Sequence, residues 1–362
     1  MSRTIDVADV TTKVISSGRS DSGVLRERSA SVILSERSAS VIPSGRSASV
    51  ILRERSDRRI SLPGYELTGP RDAPLIVVLG GISATRHATA TLTDPTTGWW
   101  QDIVGNGRAI DTATYRVLSV DYLDGGVTRD GRPQRTITTH DQAAALASVL
   151  DDVGVARAHA VVGASYGGMV ALAFAEHFPS RLDRLVVISA AHEAHPMSTA
   201  LRGIQRRIVE LGIDTGRAHE SLALARSLAM TTYRSSQEFA DRFESEPLFC
   251  DGGDATFPVD EYLRHHGEQF AARWRPERFL ALSLSCDLHR VDPRRLRTPT
   301  VIVAAEGDRV VRREQLEELA NQLDVPHRFI DLPTKHGHDA FLTEPERLGS
   351  ILCTAISTTI VS

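Results

Sequence analysis

The sequence predicts an α/β protein, a mostly parallel sheet flanked by helices and interrupted by a helical insertion. Three observations predict it. From about residue 61 onward, short apolar runs recur between Gly-containing turns and amphipathic stretches, the rhythm of alternating helices and strands with the strands buried on both faces. One run passes directly into Gly163-Ala164-Ser165-Tyr166-Gly167 and a small-residue helical stretch, which reads as strand, tight turn and helix in succession. Residues 195–290 replace the alternation with long polar helical patterns before strands resume at Thr300.

Taken in order, the first sixty residues stand apart. Arg-Ser-Ala-Ser-Val-Ile recurs at residues 28–33, 37–42 and 46–51, and residues 1–60 carry eleven Lys/Arg against seven Asp/Glu with no aromatic side chain. Such a stretch buries too little apolar surface to offset chain entropy, so residues 1–60 are expected to be a disordered extension. An origin in a repeated upstream DNA element, with a natural start near residue 60, would account for the repeat. Core strands are then expected at residues 75–79, 117–120, 158–162, 185–188 and 300–304, each nearly all apolar, with a shorter one at 329–332. A helix opened by Thr139, with Gln142 at capping-box spacing, should precede the third strand, and a helix over 169–178 ended by Pro179 should follow it. Helical patterns at 199–210 and 219–230 belong to the insertion. The expected organisation is a core of residues 61–194 and 291–362 with a helical cap at 195–290.

Composition narrows the function. The 362 residues are 41% hydrophobic and 24% charged with a net charge of -4, enough apolar material for a packed core. Three separated cysteines, Cys250, Cys286 and Cys353, argue against a disulfide framework or cysteine zinc site. No apolar run approaches a membrane span and no secretory signal opens the chain, so a cytoplasmic location is expected, with no membrane partner. A mildly acidic, aromatic-poor chain gives no support for a nucleic-acid surface. The expected partners are small molecules, and no metal or bound cofactor is expected.

The G-x-S-x-G motif carries the chemistry. A serine on a strained strand-to-helix turn needs small neighbours, and Gly163, Gly167 and Gly168 supply them. Ser165 is the candidate nucleophile; an ordinary glycine-rich turn or a phosphate loop is the alternative. A serine nucleophile needs a base and an orienting acid. Asp308, in Glu306-Gly307-Asp308 at the C-terminal edge of the strand from Thr300, is the candidate acid, with Glu306 its rival. His338, in Gly337-His338-Asp339, is the candidate base, with His336 its rival. Oxyanion donors are expected from the N–H of Tyr166 and, in the loop Gly80-Gly81-Ile82-Ser83, from that of Ile82.

With these residues in view, the chain resembles the α/β-hydrolase superfamily and, within it, the homoserine O-acyltransferases of methionine biosynthesis. The resemblance covers nearly everything from residue 65. It is carried by Gly98-Trp99-Trp100, by Gly105-Asn106-Gly107-Arg108-Ala109-Ile110-Asp111-Thr112, and by Thr232-Tyr233-Arg234-Ser235 followed by Phe239 and Arg242-Phe243. Val259-Asp260-Glu261-Tyr262-Leu263 and Gly337-His338-Asp339-Ala340-Phe341-Leu342 add to it. The resemblance implies that Ser165 takes an acyl group from a coenzyme A thioester and passes it to a hydroxyl amino acid with ping-pong kinetics. It implies that Arg206 holds the amino acid's carboxylate, that Asp339 binds its ammonium group, and that the protein is a homodimer joined through cap helices. A solvated basic face is the alternative for Arg206, since Arg202 and Arg207 lie beside it. Ala164-Ser165-Tyr166 departs from the common Asn-Ser-Met/Leu and resembles the homoserine O-succinyltransferase branch. Succinyl-CoA is therefore the favoured donor, with Arg86 and His87 as candidates for its free carboxylate. Acetyl-CoA as donor, serine as acceptor, and a plain esterase or thioesterase remain alternatives.

Overall fold

The computed structural model describes residues 62–357 and, in a separate unit, the backbone of one hairpin. That hairpin, Ser40–Ser44 paired antiparallel with Ser47–Ile51, sets Val41 opposite Val50 and so joins two copies of the nine-residue repeat. The rest of the segment expected to be disordered, and its origin, lie outside the described residues.

The main unit is built on a seven-stranded sheet. Its strands are β1 (Tyr65–Thr68), β2 (Leu75–Leu79), β3 (Arg116–Val120), β4 (Ala160–Ala164), β5 (Leu185–Ile188), β6 (Thr300–Ala305) and β7 (His327–Leu332), and their spatial order is β7-β6-β5-β4-β2-β3-β1. All neighbours are parallel except β1, which runs antiparallel to β3 along the edge. The expected strands fall within this set, with β4 two residues later than its apolar run suggested. β1 is an addition: its half-buried Tyr65-Glu66-Leu67-Thr68 carries no continuous apolar run, because only one face of an edge strand meets the core.

Alternate residues of the central strands serve two cores. Val77, Leu79, Val161, Val187 and Ile302 pack with α1 (Thr139–Asp152) and α2 (Tyr166–His177); Ile76, Val78, Val162, Val186 and Val303 pack on the other face with Leu348, Leu352 and Ile356 of the C-terminal helix (Pro345–Ser357). The start of α1 corrects the expected cap by one residue. Thr138 is extended and accepts from the Asp141 N–H, while the Asp141 carboxylate accepts from the Thr138 N–H at 2.8 Å. Gln142 is buried and instead bonds both backbone groups of Leu123, and Thr139 bonds His289.

The insertion between β5 and β6 contains α3 (Pro196–Asp214), α4 (Ala218–Tyr233), α5 (Ser236–Arg242), α6 (Pro258–Ala271) and α7 (Pro276–Asp287). Val209, Leu222, Ala225, Phe270, Phe279 and Leu280 give these helices their own apolar core. No helix among the described residues is long and apolar enough to cross a membrane.

The strand order positions the site. β2 lies between β3 and β4, so the chain leaves β2 toward one side of the sheet and returns on the other. The loops after β2 and β4 therefore meet at the carboxyl edge, where such folds bind ligands. Their approach is close: the Gly167 N–H donates to Gly80 O at 2.9 Å, and a Cβ on Gly167 would lie 2.1 Å from Leu79 O. Gly167→Ala should cost at least the ~1–3 kcal/mol typical of overpacking, because backbone cannot move aside as a side chain can. The midpoint of urea unfolding would show it; an unchanged midpoint would contradict this packing.

Candidate active site

Ser165 sits on the turn between β4 and α2 with φ 55 and ψ -122, a conformation that side chains other than glycine adopt at a cost of roughly 1–3 kcal/mol. The turn is held because Gly163 and Gly168 let strand and helix touch: a Cβ on Gly163 would be 2.3 Å from Gly167 O, and one on Gly168 2.5 Å from the Ala190 Cβ. Ser165 Oγ lies 2.7 Å from His338 Nε2, and His338 Nδ1 lies 2.8 Å from Asp308 Oδ2. When the imidazole is neutral, this arrangement lets its Nδ1–H donate to the carboxylate and the serine hydroxyl donate to Nε2.

Each partner is fixed by its own loop. Asp308 follows β6, and its other oxygen accepts from the N–H groups of Val310 and Val311, both at 2.9 Å. His338 lies on a short 3-10 turn, Gly337–Asp339, after β7. It is buried, which disfavours the imidazolium, but the charge and hydrogen bond of Asp308 outweigh burial and hold its pKa above the ordinary histidine value. The rivals are placed elsewhere. His336 bonds Glu238 at 3.0 Å, and Glu306 lines a separate groove with Lys335 and Arg347.

Ile82, Ser165, Tyr166 and His338 share one pocket, roofed by α3, α4 and α7 through residues such as Arg202, Tyr233 and Ser283. Neither the Ile82 nor the Tyr166 N–H donates to another group among the described residues, which leaves both free for an oxyanion. The Tyr166 side chain is buried, bonding Ser285 at 2.8 Å and Gln142 at 3.3 Å. Cys286 also lines the pocket, but burial pushes its thiol up to about 11, so it stays protonated and does not compete as nucleophile.

The four other candidate substrate-binding residues all have charged partners within the chain. Arg206 does not itself line the pocket: its guanidinium pairs with Asp287 at 2.6 Å and bonds the pocket-lining Ser283 at 3.0 Å. Asp287 also holds Arg202 at 2.6 Å, so two of the three arginines on α3 share one buried carboxylate, while Arg207 is exposed. Arg86 is paired with Asp121 at 2.7 Å, and His87 lies between Glu66 at 2.9 Å and the Thr96 carbonyl at 2.8 Å; neither reaches the pocket. Asp339, next to His338, is held through one oxygen by Arg234 Nε at 3.0 Å. Burial raises its pKa above the usual carboxylate value, with Arg234, His338 and Arg226 opposing.

Arg226 was not singled out from the sequence. Its guanidinium lies 5.0 Å from the Tyr233 ring and 4.8 Å from the Phe270 ring, without a carboxylate partner among the described residues. The seven-residue spacing from Arg226 to Tyr233 puts both on one face of α4, which is the signal that could have found it.

Fold and site together define an α/β-hydrolase-type protein with a Ser–His–Asp series at its pocket, and the alpha/beta hydrolase fold family model matches residues 74–345. The chain is 44% identical to the homoserine O-succinyltransferase of Xanthomonas campestris pv. campestris, over 85% of this chain and 82% of that protein. It is 31% identical to a homoserine O-acetyltransferase of Thermus thermophilus, over 81% of this chain and 84% of that protein. The solved homoserine O-acetyltransferase of Bacillus anthracis shares the fold, with a TM-score of 0.75 at 16% identity over 82% of this chain and 92% of that one. The chain belongs to the homoserine O-acyltransferase family of the α/β-hydrolase superfamily.

Proposed function

We propose that this enzyme transfers a succinyl group from succinyl-CoA to the hydroxyl of L-homoserine by double displacement. The observation that carries the mechanism is the hydrogen-bonded series Ser165, His338, Asp308 at the foot of a roofed pocket; the similarity to the Xanthomonas enzyme supports the donor and acceptor.

Ser165 Oγ attacks the thioester carbonyl as its proton passes to His338 Nε2, and the oxyanion lies between the N–H groups of Ile82 and Tyr166. Collapse expels the CoA thiol with the proton from His338. The homoserine hydroxyl then gives its proton to the same nitrogen and attacks the acyl-serine; collapse breaks the acyl–Oγ bond, and His338 returns the proton to Ser165 as the ester leaves. The roof keeps water from taking that place. Nucleophile, base and oxyanion donors all come from the chain, so the step as written needs no metal or cofactor beyond the CoA co-substrate.

For the acceptor, Arg226 takes the carboxylate role first given to Arg206, since Arg206 is engaged by Asp287 and Ser283 whereas Arg226 stands beside the pocket-wall Tyr233 without a carboxylate partner among the described residues. Asp339 keeps the ammonium: Arg234 occupies one of its oxygens, leaving the other. For the donor, Arg309 lines the pocket and suits the succinyl carboxylate in place of Arg86 and His87. We place the enzyme in the cytoplasm as a homodimer joined through its cap; Met197, Ile204 and Leu211, seven residues apart on α3, are exposed and apolar.

Losing a charged hydrogen bond costs about 1.5–3 kcal/mol, so Arg226→Ala should raise the homoserine KM roughly 10- to 100-fold. Arg206→Ala should leave that KM near wild type and lower thermal stability instead, because it strips one partner from a buried ion pair. The reverse pattern would return the clamp to Arg206. Incubation with L-homoserine or L-serine and succinyl-CoA or acetyl-CoA, following thiol release and product mass, tests the whole proposal. O-succinylhomoserine supports it; O-acetylhomoserine moves the donor, and thiol release with free acid alone makes the protein a hydrolase.

A further inference from the structure

The α4–α5 junction grips the turn that carries His338. Ser235 caps α5, accepting from the Glu238 N–H at 3.1 Å, and its hydroxyl donates to the Lys335 carbonyl. Glu238 bonds His336 Nδ1 at 3.0 Å, Arg234 Nε meets Asp339 at 3.0 Å, and Arg234 Nη1 joins Glu238 at 3.1 Å. Three cap residues thus hold residues 335, 336 and 339, on both sides of the histidine. The turn has no slack: Gly337 has φ +61, and a Cβ there would lie 3.2 Å from Ser235 N, Tyr233 O and Gly307 O. It is wedged between the cap junction and the loop carrying Asp308.

The grip is not an ordinary surface ion pair. The Glu238 and Arg234 side chains are 9% and 17% exposed, and charges so withdrawn from water are costly unless closely matched. None of Arg234, Ser235 and Glu238 lines the pocket that holds Ser165, so their contacts act on the turn rather than on substrate.

We propose that Arg234, Ser235 and Glu238 are positioning residues that lock the His338 turn to the cap, so that the Ser165–His338–Asp308 series is complete only when the α4–α5 junction is seated. The proposal rests on the acyltransferase reading of that series. It also gives the cap a part in chemistry beyond covering the pocket.

The test is the rate of acyl-enzyme formation with succinyl-CoA alone, read as burst thiol release across pH, in Glu238→Ala, Glu238→Gln and Arg234→Lys. A misplaced base costs up to about 10²-fold, so Glu238→Ala should slow the burst roughly 10- to 100-fold while the half-saturating succinyl-CoA concentration stays within about threefold. His338 faces Asp308 from the β6 loop, Asp339 on its own turn, Arg202 from α3 and Tyr233 from α4. Loosening the turn weakens the Asp308 contact, so the acidic limb of the burst rate should move to lower pH. Glu238→Gln should recover most of the rate, since an amide can still accept from Arg234 and donate to His336.

A Glu238→Ala enzyme with a wild-type burst and an unmoved acidic limb overturns the proposal, as does a Gln variant no better than Ala. Should Glu238→Ala fail to fold, Arg234→Lys, which keeps the charge but loses the forked contact to Asp339 and Glu238, decides by the same two readouts. Ser165→Ala is the control: thiol release surviving in it refutes the triad reading and this proposal together, whereas its loss beside a normal Glu238→Ala burst refutes this proposal alone.

Discussion

Ser165→Ala is expected to lower succinyl-CoA-dependent thiol release by on the order of 10³-fold or more, without loss of fold. In the proposed mechanism the Ser165 oxygen makes and breaks the covalent bond in both half-reactions. Cys286 is the nearest alternative in kind, but burial holds its thiol up at about 11. The substitution removes a hydroxyl from a turn whose φ of 55 is set by the glycines around it, so stability should change little. Intact-protein mass after mixing with succinyl-CoA is the direct check: wild type should carry one succinyl group and the variant none. A labelled variant would move the nucleophile elsewhere.

Asp308→Asn is expected to cost on the order of 10³- to 10⁴-fold in turnover, by analogy with the same change in serine-protease triads. The carboxylate does two things here. It accepts the Nδ1–H of His338, fixing the tautomer that leaves Nε2 free for the Ser165 proton, and its charge keeps the imidazole more basic than burial alone would allow. Catalysis requires neutral His338, so the wild-type burst rate should fall as pH drops through a pKa lying above the ordinary histidine value. Removing the charge while burial stays leaves desolvation, which favours the neutral ring, to dominate. The acidic limb should therefore move to lower pH even as the plateau falls. A limb that keeps its wild-type position would mean that Asp308 does not set the basicity of His338.

The three members of the Ser165–His338–Asp308 series were legible because each sits on a local signal: a glycine-flanked serine after an apolar run, an Asp just past a later buried strand, a His beside a glycine turn. Choosing His338 over His336 took no more than turn chemistry, and the structure places it 2.7 Å from the serine. The clamp was not legible in that way. Arg202, Arg206 and Arg207 lie on one helical pattern, and nothing local shows that Asp287, some eighty residues later, contacts two of them. Arg86 and His87 are engaged in the same way, by Asp121 just past β3 and by Glu66 within β1. The one-residue error at α1 had a different cause: Thr138 and Thr139 are both competent caps, and backbone conformation selected the first.

What the sequence determined by itself was what short range can encode. Apolar runs buried on both faces require a covered sheet, and a serine among glycines requires a strained turn at a strand's end; both follow from the sterics and hydrophobicity of neighbours in the chain. Which charges are free and which are spent was decided by tertiary structure alone. A guanidinium's availability depends on the nearest carboxylate in space, and the helices that bring Asp287 to Arg206, and Glu238 to the catalytic turn, set those distances only once the cap has packed on the sheet.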